Sequence, residues 1–283
     1  MTWPVKWCII GNGGERPAGK GVCSMLIDYH LHTCYSADSD APIKAQLDAA
    51  VSAGLTHICF TDHVDYDGST LPPADLAARN NEIELLAPLY PSLDISVGME
   101  MGMKGAEADR LAHLHTEGVH MDFIIGSVHI VNGVDAYYPE FFECRAKEQA
   151  FGIYLEQLAR SVKESRFSVM GHYDFCAKYS PYSDRSMVFS LFPGMFDDIF
   201  RSLIQTGRAM EINTSAWRHD PAWGIDILTR YRELGGEYVT IGSDAHKPLK
   251  VGCRVKEATE LAKAAGIRYI ATFKNMVPTM HRI

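Results

Sequence analysis

The sequence predicts an α/β protein folded as a β/α barrel. From Leu26 onward, eight short β-rich runs alternate with seven segments of helical periodicity. A joint reading helix end, Gly, strand recurs as SAGLTHICF, LGGEYVTIGS and KAAGIRYIAT. No linker-like stretch interrupts this alternation, so repeated βα units closing one barrel fit better than two separate domains.

The expected strands span residues 26–30, 56–61, 93–100, 122–129, 167–173, 209–214, 237–243 and 268–272. Most are too apolar to be exposed on one side, as expected of parallel strands covered by helices. The expected helices span residues 42–53, 73–89, 106–117, 140–164, 195–205, 222–234 and 254–265. In the first, Pro42 sits in the opening turn, Ile43, Leu47, Ala50 and Val51 make the apolar face, and Gly54 provides the left-handed stop. Residues 1–25 differ from the rest: Gly-rich, with an apolar stretch of only four residues at 7–10. That stretch is too short for a signal-peptide core, and the segment reads as a flexible leader ahead of a barrel over 26–283.

Composition narrows the function. In 283 residues, 47% are hydrophobic and no run of 18 apolar residues occurs, so a membrane-spanning helix is excluded. A net charge of −8 argues against a nonspecific nucleic-acid binder. Seven dispersed cysteines without a C-x-x-C pair suit a reducing cytoplasm better than a disulfide framework.

Six of the twelve histidines fall at the C-terminal ends of expected strands: His30 and His32 in DYHLH, His63 in FTDH, His129 in GSVH, His172 in GHYDF and His246 in GSDAH. Asp38, Glu100 and Asp244 join them at the same level. A lone histidine is ordinarily a hydrogen-bonded core or surface residue. Six at one barrel mouth, with three acids, are too many to bury unpaired. Divalent metals would satisfy them, and imidazole with carboxylate suits Zn, Fe or Mn without choosing among them. Strand alternation further places Asp28, His30 and His32 on one side, and Asp244 with His246 likewise.

On DYHLHTCYSADSD, FTDH, GME, IIGSVH, GHYDF, EINTSAWR and GSDAH, in that order, the chain resembles the polymerase-and-histidinol-phosphatase (PHP) superfamily, particularly its histidinol-phosphate phosphatase branch. The resemblance implies a distorted, TIM-like (β/α)7 barrel and three divalent transition-metal ions. One would take His30, His32, Glu100 and Asp244; a second Glu100, His129 and His172; a third Asp38, His63 and His246. Related members often carry His where this chain has Asp38.

The activity implied is hydrolysis of L-histidinol phosphate, a small phosphomonoester, by a hydroxide bridging two metals, with Glu100, Asp244 and His246 as the catalytic residues. Asp28, Asp62 and Asp174 could orient imidazole N–H groups, and Asp174 could instead protonate the leaving group. Arg218 and then Arg185 are the candidate phosphate contacts, while Asp135, Tyr137, Tyr138 and Trp217 are candidates for the histidinol moiety. Two alternatives stay open: a PHP phosphoesterase for another small phosphomonoester or nucleotide, and a non-catalytic metal-binding regulatory domain.

Overall fold

Parallel strands close a distorted barrel in the computed structural model, which describes residues 25–215 and 224–283. The expected leader up to residue 24, and Trp217 and Arg218, lie outside the described residues. In chain order the first strands are β1 (Ile27–Leu31), β2 (His57–Phe60), β3 (His63–Asp65), β4 (Asp94–Gly102) and β5 (Phe123–Ser127). A small hairpin, β6 (Ile130–Val131) and β7 (Val134–Asp135), precedes β8 (Val169–Met170), β9 (Ala209–Asn213) and β10 (Tyr238–Gly242). The last two are β11 (Tyr269–Lys274) and β12 (Val277–Arg282). The helices are α1 (Ile43–Ser52), α2 (Leu76–Leu86), α3 (Ala106–His115), α4 (Lys147–Glu164), α5 (Phe175–Tyr179), α6 (Pro193–Gln205), α7 (Ile225–Glu233) and α8 (Val255–Ala264).

The order β1-β2-β4-β5-β8-β9-β10 is parallel throughout. It closes where Leu31 bridges Ala245 and the His32 amide donates to the Ala245 carbonyl at 3.1 Å. Seven strands therefore make the ring. The eighth expected strand, β11, pairs with β10 only at Tyr238 and Val239 and then forms an antiparallel hairpin with β12. Phe273 on that hairpin bonds Tyr29 and Ser96, and the Asn275 amide donates to Asp122, so the hairpin underlies the N-terminal mouth. No helix among the described residues is long and apolar enough to cross a membrane.

Differences from the expected boundaries have local causes. α2 begins at Leu76 because the Asp75 carboxylate caps the Ala78 amide at 3.0 Å. α4 begins at Lys147, since the chain at 139–141 makes a single 3-10 turn and Cys144 then takes a left-handed φ of 56°. β4 runs on to Gly102 because β3 pairs alongside its end, His63 opposite Glu100. In β1, the pairing shifts between Asp28 and Leu31, and this irregularity defeats simple alternation. Tyr29 meets Ser96 and Phe123 across the barrel, and the next residue, His30, meets Glu100 and Glu211 across it too. Asp28 does not share the side of His30: its carboxylate accepts from the Ser243 amide and hydroxyl and from the Gly252 amide.

Candidate metal centre

The nine residues expected at the barrel mouth stand together there, on β1 and its following loop, β3, β4 and the ends of β5, β8 and β10. Glu100, buried on β4, organises them. Its Oε2 lies 3.1 Å from His30 Nε2 and 3.3 Å from His32 Nε2, while its Oε1 lies 2.9 Å from His172 Nε2 and 3.3 Å from His129 Nε2. Asp244 Oδ1 completes the first group at 3.4 Å from His32 Nε2 and 3.8 Å from His30 Nε2. Asp38 Oδ2 faces His246 Nε2 at 3.0 Å and His63 Nε2 at 3.5 Å.

The groups overlap more than three separate sets would. His32 stacks on His246 and His63, with ring centroids 4.0 and 4.5 Å away, and its donor nitrogen belongs to the Asp38 cluster as well. Asp244 reaches the centre by a left-handed turn, φ 54°, beyond the end of β10, so it and His246 arrive by a turn and not by strand alternation.

Charge and orientation both favour cations here. His32 Nε2 is buried and hydrogen-bonded to nothing among the described residues, although two carboxylate oxygens lie within 3.4 Å; it is aligned with neither. His63 Nδ1 and His172 Nδ1 are likewise unpartnered. Burial would push the His30 imidazole down, but Glu211 and Glu100 hold it well above its usual range. His129, depressed by burial, is lifted by Asp65 and Glu100 to about 10. Burial would raise Glu100, and His30 and His63 draw it well below the usual carboxylate range. The carboxylates that raise His30 and His129 against burial would equally favour divalent ions, which would take the place of those protons. With imidazole and carboxylate donors only, the residues fit Zn, Fe or Mn.

A layer of groups behind the donors is absent from sequence spacing. The Nδ1 of His30 is 2.7 Å from Glu211 Oε1, and the other Glu211 oxygen accepts from the His172 amide at 3.2 Å. Asp65 Oδ2 stands 3.2 Å from His63 Nδ1 and 3.5 Å from His129 Nδ1. Ser36 Oγ meets His32 Nδ1 at 3.2 Å, and Lys178 Nζ donates to Asp244 Oδ2 at 3.1 Å. Only Glu211 carried a sequence signal, being an acid inside the apolar strand AMEIN.

The three expected orienting aspartates behave differently. Asp28 braces backbone, as above, and touches no imidazole through its carboxylate. Asp62 reaches His32 only through Ser36, whose hydroxyl donates to it at 2.8 Å. Asp174 is buried, which pushes its carboxyl up to about 6, and it makes no hydrogen bond to an imidazole among the described residues. Arg185 is exposed and donates to the Lys178 carbonyl at 3.4 Å. Tyr137 and Tyr138 are half exposed on the rim, and the Asp135 carboxylate accepts from the Tyr137 amide at 2.8 Å.

Glu211→Gln should weaken metal binding by about 10- to 100-fold, because it removes the charge that holds the His30 tautomer with Nε2 free. Competition with a chelator checks this; unchanged metal retention would exclude the role.

The PHP domain family model matches residues 28–215. A histidinol-phosphatase of Lactococcus lactis is 31% identical over 260 residues, covering 88% of this chain and 95% of the relative. A probable histidinol-phosphatase of Clostridium acetobutylicum is 26% identical, covering 89% and 99%. Among solved structures, histidinol phosphate phosphatase from Lactococcus lactis, complexed with Zn, L-histidinol and phosphate, superposes with a TM-score of 0.83 at 30% identity, covering 90% of this chain and 98% of that one.

Proposed function

The chain belongs to the PHP domain family, and on that premise we propose that it is a metal-dependent phosphomonoesterase hydrolysing L-histidinol phosphate to L-histidinol and phosphate. One observation carries the reading: Glu100 gives one oxygen to His30 and His32 and the other to His129 and His172, as a carboxylate shared between two metals would. His30, His32, Glu100 and Asp244 would hold one ion, Glu100, His129 and His172 a second, and Asp38, His63 and His246 a third. The likeness to a zinc-bound relative that holds L-histidinol and phosphate supports the substrate. The net charge of −8 supports a small-molecule substrate over nucleic acid. The same reading makes the protein cytoplasmic, with residues 26–283 carrying the activity.

When bound, the divalent ions lower the pKa of a water and neutralise phosphoryl oxygens. The chain supplies orientation and additional charge. Lys178 is nearly buried beside Asp244 and Ser215, and burial, which would depress its ammonium, is outweighed by Asp244. It is therefore a fixed positive charge at the mouth, suited to a phosphate oxygen, with Arg185 further out on the same rim. Leading away from the imidazoles is an aromatic path: Phe175 lies 4.9 Å from His129, Tyr179 lies 5.4 Å from Phe175, and Tyr137 lies 4.2 Å from Tyr179. This path suits an imidazole ring, and Asp135 beside it suits an ammonium group.

Phosphate release from histidinol phosphate, a nucleoside monophosphate and a simple alkyl phosphate tests the proposal. Losing a charge-assisted hydrogen bond costs about 1.5 to 3 kcal/mol, so kcat/KM should favour histidinol phosphate over the alkyl ester by about 10- to 150-fold. Equal efficiencies would reject histidinol phosphate as the substrate and leave a general phosphoesterase.

A further inference from the structure

Behind the imidazoles lies a second carboxylate that the proposed reaction does not use. Asp67 follows β3 and is fully buried; its Oδ1 accepts from the Ser69 amide at 3.0 Å, and its Oδ2 has no hydrogen-bond partner. Asp65 is 7% exposed, and its Oδ1 is equally without a partner while its Oδ2 faces His63 and His129. The two orphan oxygens border one space, kept open by a glycine: a Cβ on Gly102 would stand 2.6 Å from Asp67 Oδ2 and 2.8 Å from Asp65 Oδ1. As carboxylates both are acceptors only, so neither can satisfy the other unless one of them holds a proton.

We propose that Asp67 is a positioning residue of the hydrolytic centre, donating a hydrogen bond from Oδ2 to Asp65 Oδ1 and so fixing Asp65 against the Nδ1 edges of His63 and His129. Asp65 then sets the two rings whose Nε2 atoms face Asp38 and Glu100. Geometry supports this division of roles: Asp65 turns its other oxygen toward the two imidazoles, whereas the other oxygen of Asp67 is taken by the Ser69 amide. A cation between the two acids is a poorer fit, since a hard ion takes six or more oxygens and two carboxylate oxygens face this space. The ammonium of exposed Lys104 lies beside Gly68 and pairs with neither acid among the described residues.

The inference rests on the metallophosphatase reading, and its test separates the two. Asp67→Asn keeps an N–H donor toward Asp65, whereas Asp67→Ala removes it, with Asp67→Leu as a space-filling replacement should the Ala variant not accumulate. Metal retention under chelator competition and the kcat and KM for histidinol phosphate are measured on all three. Asn should stay within about 3-fold of the parent, and the variant without a donor should lose about 10- to 100-fold in metal retention and in kcat with KM little changed. A donorless variant equal to the parent, an Asn variant as impaired as Ala, or loss of one ion per chain in the Asn variant would each overturn the proposal. A parent protein that neither holds metal nor releases phosphate would instead overturn the reading beneath it.

Discussion

Replacing Glu100 by Gln is expected to lower kcat/KM by about 1,000-fold or more and to reduce the metal content of purified protein. The reason is geometric. Each Glu100 oxygen lies near two imidazole Nε2 atoms, so both must act as acceptors or ligands. A Gln side chain offers one oxygen and one NH2 group, so whichever way it turns, one pair of imidazoles and its ion meet a donor. The charge is lost as well, from a centre whose imidazoles draw the Glu100 carboxyl well below its ordinary range against the opposing effect of burial. The parent should carry two to three ions per chain by elemental analysis, on the order of the sites proposed, and chelation should abolish its hydrolysis. A Gln variant with parental metal content and turnover would refute the shared-carboxylate arrangement.

What could be read from the sequence depended on whether spacing along the chain determines neighbours in space. The barrel could be read because each strand is a short apolar run and each helix carries its own period. The imidazoles could be read because parallel strands bring every C-terminal end to one mouth, wherever the residues fall in the chain. Glu211 could not be paired with His30 by that logic. β1 and β9 are not neighbours in the sheet, and their contact crosses the barrel interior. Lys178 sits on α5, a helix of five residues, too short for a periodic signal. Asp65 and Asp67 lie in and after β3, a strand of three residues, too short for an alternating signal. Asp28 was placed on the wrong side because alternation assumes a regular strand, and β1 shifts register where its first ligand begins. The active centre of this fold thus shows its metal-facing residues through composition and position, while the groups that aim them depend on tertiary geometry.

Asp62 leads to the second large effect, which concerns stability. Arg79 and Asp62 are both completely buried and pair at 3.2 Å. The guanidinium also donates to the Phe60 carbonyl at 3.3 Å and the Gly98 carbonyl at 2.7 Å, tying the end of β2 to β4. Asp62 in turn accepts from the Thr33 amide at 2.6 Å and from Ser36, the partner of His32. Removing one member of a buried pair leaves the other charged and desolvated, so Arg79→Met should cost about 3 to 5 kcal/mol, a fall in Tm on the order of 10 °C for a chain of this size. Burial would raise the Asp62 carboxyl, but Arg79 and His32 hold it below its ordinary value. A depressed carboxylate stabilises the fold above its unfolded pKa, about 3.9, and that contribution is lost as pH falls through the folded value. The gap between parent and Arg79→Met should therefore be widest near neutrality and narrow in acid, measured by urea unfolding of metal-free protein so that ligand protonation is common to both. The double variant Arg79→Met with Asp62→Asn should recover part of the loss, because the unpaired charge is gone. An Arg79→Met protein as stable as the parent, or a gap that widens in acid, would show that the pair does not stabilise the wall beneath His32.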